Sequence, residues 1–153
     1  MPHRNPQQQF NAVEELLTRW LKERREVLGK YTEIAVGMDG LLDAAALAER
    51  QRLLCELLVD YVSAGHFEVY HELLEEAESF ADGSSTLAEK LMPAIGDTTE
   101  VILAYEEKYT ADNCDSGKLK RDLSALGEVL ESRFLLEDKL IAGLHNSHRR
   151  QQG

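Results

Sequence analysis

Apolar residues recur at intervals of three or four along most of this chain, and no run alternates long enough to read as a strand. The first stripe runs through Val13, Leu16, Leu17, Trp20, Leu21, Val27, Leu28, Tyr31 and Ile34, with charged residues on the other faces. Asn11 and Glu14 have the spacing of a capping box, which predicts a helix from Asn11 to about Gly37. Asp43 is placed to cap a second helix through Leu47, Leu54, Leu57, Leu58, Tyr61 and Val62. Gly65 is expected to end it in the left-handed conformation. A third helix then starts at Phe67 and continues through Val69, Tyr70, Leu73, Leu74, Ala77 and Phe80. So short a junction at His66 predicts two helices that diverge sharply or run antiparallel.

After a loop at 81–85, Thr86 and Glu89 offer another capping box. The stripe Leu87, Leu91, Ile95, Thr98, Ile102, Tyr105 and Tyr109 contains Pro93. Of two arrangements, a kink or a fresh start, the sequence favours a helix beginning at Pro93, where proline suits the first turn. A loop at 112–117 precedes the last helix, with Leu119, Leu123, Leu126, Leu130, Phe134, Glu137, Ile141 and Leu144 in register. The expected fold class is all-α: an antiparallel, four-helix-bundle-like array with short additional helices. Residues 1–10 are expected to be a flexible polar tail, 11–146 a single all-α domain, and 147–153 a basic tail.

Composition agrees with one helical domain: 153 residues, 43% hydrophobic, 29% charged, three Pro and ten Gly. No apolar run approaches the ~20 residues that span a bilayer, and the start lacks a signal-like apolar stretch. The expected location is the cytoplasm, and a disulfide between Cys55 and Cys114 is not expected there. Cys55 reads as a buried small hydrophobe and Cys114 as an exposed thiol in a polar loop.

Charge adds a second message. The net charge is −11 and falls unevenly. Residues 37–116 hold four basic and eighteen acidic groups, while the flanking segments are slightly positive. This argues against direct binding of nucleic acid or anionic membrane and fits a basic protein partner.

Chemistry is sparse. A carboxylate-bridged metal pair needs two Glu-x-x-His motifs; only Glu68–His71 is present. His145 and His148 read as solvated residues at a helix end. No phosphate-cradling Gly loop, nucleophile elbow or zinc pattern occurs. No enzyme activity, metal or cofactor is expected. A metal-carboxylate bundle, or a histidine phosphocarrier using His66, stands as the alternative. The polar and aromatic corner Asp60, Tyr61, Ser63, His66 and Phe67 points instead to a protein-binding module. Trp20 reads first as a core anchor, with a partial role at a surface cleft as the alternative. Arg133 and Glu137, one turn apart, read either as an intrahelical ion pair or as partner contacts.

Two ungapped blocks, Leu57–Tyr70 and Leu126–Ile141, resemble the signature blocks of the regulator-of-sigma-D (Rsd/AlgQ) family of anti-sigma factors. Arg19-Trp20-Leu21 and Leu91-Met92-Pro93 resemble further family features. The resemblance implies an all-α bundle that binds region 4 of the housekeeping, sigma-70 type, sigma factor. That region is a basic helix-turn-helix domain that reads promoter DNA and docks on RNA polymerase. Sequestering it would lower its transcription in stationary phase. RNA polymerase core and other stress regulators are further partners the family suggests. By family match, Asp60 would pair with an Arg or Lys of sigma, Ser63 would hydrogen-bond, and Phe67 would give apolar contact. Tyr61, His66, Trp20, Arg133 and Glu137 complete the expected sigma-binding set.

Overall fold

The computed structural model describes residues 4–38, 40, 43–110 and 116–151. Five helices carry the chain: α1 Pro6–Gly37, α2 Ala44–Ala64, α3 Tyr70–Phe80, α4 Ser85–Thr110 and α5 Ser116–Leu144. A π-helical turn, Gly65–Val69, joins α2 to α3, and a 3-10 turn, Asn146–Gln151, follows α5. The described residues contain no strand. The all-α bundle is therefore as the apolar periodicity implies.

Three boundaries differ from expectation, each for a local reason. Helix α1 starts at Pro6, five residues before Asn11. Asn5 caps it, accepting from the Gln8 backbone N–H at 2.8 Å, while Gln8 returns the bond to the Asn5 N–H at 3.0 Å. Pro6 sits in the first turn, where its missing N–H costs nothing. Pro93 does not begin a helix; it lies inside α4. The helix starts at Ser85, so Thr86 falls in the first turn rather than at a cap.

The third difference is the corner. Gly65 is right-handed, with φ −57° and ψ −53°, and the chain does not turn there. Instead α2, the π-turn and α3 form one long rod. Its wide turn closes with Tyr70 N–H donating to the Gly65 carbonyl, five residues back. Glycine is needed for room: a Cβ at position 65 would sit 3.1 Å from the Trp20 ring and 3.2 Å from the Tyr70 hydroxyl.

Cross-links fix the register. Arg50 meets Glu33, Arg24 meets the Tyr61 hydroxyl, and Gln9 meets Glu72, so the rod runs antiparallel to α1 along its whole length. Likewise Lys108 meets Asp122 and Arg133 meets Thr98, which sets α4 against α5. Leu54, Leu58, Leu73, Ile95, Ile102, Leu123, Leu126 and Leu140 fill the interior between these four rods. Cys55 is buried among them, and Cys114 lies outside the described residues.

Candidate protein-interaction surface

The interior of the corner is aromatic and ionic. The Trp20 ring lies flat on Tyr61, centroids 4.7 Å apart and 3° from parallel, and its indole N–H donates to the Tyr61 carbonyl at 3.2 Å. Tyr70 meets Trp20 edge-on. Behind them lies Glu137, fully buried. It accepts from the Tyr61 and Tyr70 hydroxyls, both at 2.6 Å, from Arg133 Nε at 3.1 Å and from Arg24 at 3.3 Å. Burial pushes the Glu137 carboxyl up; Arg133 first, then the two hydroxyls, pull the other way. Burial and the Glu137 charge push both phenols up, so they stay protonated donors. Arg133 spends its other N–H groups on Thr98, Thr99, the Ile95 carbonyl and Tyr70. The expected ion pair between Arg133 and Glu137 is present, and it is sealed inside the protein.

The π-turn makes this arrangement possible. Nine residues of regular helix would set Tyr61 and Tyr70 about 180° apart at about 100° per residue. The wider turn absorbs roughly one residue and brings both hydroxyls to one carboxylate. It also pushes the intervening residues outward.

Phe67 is the result, 75% exposed, with its ring 4.8 Å from that of His66 in an edge contact. Glu68, next to it in sequence, and Asp60, seven residues before it, are exposed, and Ser63 is half-buried. From α1, Glu23 reaches the same region. One of its carboxylate oxygens is buried without a hydrogen-bond partner among the described residues. Burial raises the Glu23 carboxyl, and Asp60, Glu26 and Glu68 raise it further. Asp60 also lines an open groove of about 530 Å³ with Arg52, Cys55, Glu56, Val59 and Glu106. The surface is thus an exposed ring set in concentrated negative charge, on a rod held by the buried Arg133 and the half-buried Arg24.

Residues 2–145 match the family model for the regulator of RNA polymerase sigma(70) subunit, Rsd/AlgQ. The chain belongs to this family. Its relatives include regulators of sigma D. That of Yersinia enterocolitica is 34% identical over 142 residues, covering 88% of this chain and 83% of the relative. That of Yersinia pseudotuberculosis is 33% identical over 138 residues, with 88% and 82% covered. That of Pectobacterium atrosepticum is 32% identical over 139 residues, with 86% and 89% covered. No solved structure gives a significant match.

Within this Rsd/AlgQ chain, the eight residues singled out from sequence separate into two layers. Asp60, Ser63, His66 and Phe67 reach the surface, whereas Trp20, Tyr61, Arg133 and Glu137 lie beneath it. The inner four hold the outer four in place. Glu23, Glu26 and Glu68 are not among the surface residues that the sequence points to. Glu68 follows Phe67 directly, but α1's share of the surface required knowing that α1 runs alongside the rod. Among the described residues, no group of three His, Cys, Asp or Glu is disposed to hold a metal. No described helix is long and apolar enough to cross a membrane.

Proposed function

We propose that this protein is an anti-sigma factor that binds region 4 of the housekeeping sigma factor and keeps it from RNA polymerase, lowering its transcription in stationary phase. The observation that carries the reading is Phe67, a large ring left in water inside an acidic field, in a family that regulates sigma-70. A basic helix-turn-helix domain offers the complementary chemistry: cations for Asp60, Glu68 and Glu23, and an apolar pocket for the ring. Aromatic anchors at such surfaces carry a disproportionate share of binding energy. Ser63 and His66 supply polar contacts at the rim. The names of the relatives, regulators of sigma D, support the same partner class.

Calorimetric titration of the full chain with isolated sigma region 4 tests it. Wild type is expected to bind, and Asp60→Ala to bind more weakly, with unchanged circular dichroism. A chain that does not bind region 4, or that binds it as well with Asp60→Ala and Phe67→Ala combined, removes this surface from the function.

A further inference from the structure

A cluster that the proposed function does not use lies at the opposite end of α3. His145 and His148 are both fully buried, although their polar neighbours suggested solvated side chains. Between them lies Glu76, also fully buried. His145 Nδ1 meets Glu76 Oε1 at 2.6 Å, and His148 Nδ1 meets Glu76 Oε2 at 2.5 Å. The far nitrogens also face carboxylates: His145 Nε2 to Glu14 at 2.5 Å and His148 Nε2 to Asp82 at 2.9 Å. Each imidazole is stacked on a phenyl ring, His145 on Phe10 and His148 on Phe80. Arg149 closes the group on Glu14 with two bonds.

We infer that this is a proton-dependent clamp: the C-terminal segment Leu144–Gln151 is fastened to α1 and α3 only while His145 and His148 are both imidazolium ions. A neutral imidazole carries one N–H and one lone pair, so it cannot donate from both nitrogens. Here both nitrogens of both rings face carboxylates. Charge balances in the same state. Glu14 from α1, Glu76 from α3 and Asp82 from the turn after it supply three negative charges. His145, His148 and Arg149 supply three positive ones. Losing either ring proton leaves a lone pair against a carboxylate and one negative charge of the cluster uncompensated. Deprotonating either ring therefore opens the clamp. Phe10 and Phe80 then lose their stacked partners, and the start of α1 loses its tie to α5. Glu14 shows the matching electrostatics, held below its ordinary range first by Arg149 and then by His145.

Nitrogen NMR of the imidazoles in the full-length protein, with hydrogen-exchange protection across the chain, tests this. His66 and His71 are exposed and serve as internal references. Near pH 6, both clamp rings should show two protonated nitrogens. On raising the pH to about 8.5, protection of Leu144–Gln151 and of Pro6–Glu14 should fall about tenfold or more, while Leu123–Leu130 stays protected. Glu76→Gln and His148→Gln should show the loosened segment already near pH 6. Singly protonated rings near pH 6, or protection of these segments that does not change with pH, overturns the inference. Variants that keep the wild-type response overturn it as well. If a variant fails to fold, the wild-type titration decides alone.

Discussion

Phe67 and Gly65 are two residues apart and do opposite things. The Phe67 ring touches little but His66, so removing it costs the fold almost nothing. Phe67→Ala is expected to change unfolding free energy by no more than about 0.5 kcal/mol. The same substitution should weaken sigma binding by about 2 kcal/mol, read as affinity in a titration. Gly65 is the reverse. A Cβ there meets Trp20 and Tyr70, both held by Glu137 and its neighbours. Gly65→Ala should destabilise the protein by about 1–3 kcal/mol in denaturant unfolding. From sequence, Phe67 stood out as an aromatic in a polar setting. The role of Gly65 did not, because glycine after a helical stripe most often signals a left-handed end, and only the position of Trp20 shows that space is what matters. Gln9 was equally hidden. It reads as part of a polar tail, yet its amide donates to the Glu72 carbonyl and carboxylate across 63 residues of sequence.

At the scale of elements, the stripes located the five α-helices of the described residues because burying one face requires that spacing whatever the partner; the 3-10 turn Asn146–Gln151 carries no such stripe and reads as a tail. They did not show how helices join. The rod α2–α3 reads as two helices because the π-turn breaks the phase of the apolar pattern. In α4 the stripe runs on through Pro93, and the apolar contacts on both sides outweigh the lost backbone bond. Pro93→Ala restores that donor at an exposed position and should stabilise the protein by about 1–3 kcal/mol in thermal unfolding. The opposite sign is expected where α5 meets α4 and the rod. Arg133→Met leaves Glu137 buried with one less cation and takes the donor away from the Thr98 and Thr99 hydroxyls, which keep only their bonds to the Ile95 carbonyl. A loss of about 3–5 kcal/mol is expected. Pairing it with Glu137→Leu should recover much of that loss, which a double-mutant cycle would measure.

Across the whole molecule, charge is the dominant theme. The acidic middle segment lies mainly on α2, α3 and α4, so sigma binding should weaken steeply as salt rises from 50 mM to 500 mM, with most of the change in association rate. Proton linkage differs in sign among the carboxyls. Glu14 and Asp122 are both held below their ordinary values, Glu14 chiefly by Arg149 and Asp122 chiefly by Lys108. A depressed carboxyl stabilises the fold fully above its unfolded value and loses that contribution as pH falls through the folded value. The acid limb of the stability profile should thus be shallower in Glu14→Gln, measured by chemical unfolding between pH 5 and pH 2. Glu23 has the opposite sign. Its carboxyl is raised in the free protein, and a cationic partner would favour the ionised form. Binding should therefore release protons and tighten as pH rises through the carboxylate range, visible as buffer-dependent binding enthalpy.

The π-turn has one more consequence. The surplus residue in Gly65–Val69 acts like a pinned dislocation in a crystal lattice. Tyr61 and Tyr70 pin its two sides to the same carboxylate. A partner that draws Phe67 into a pocket must therefore work against this pinning.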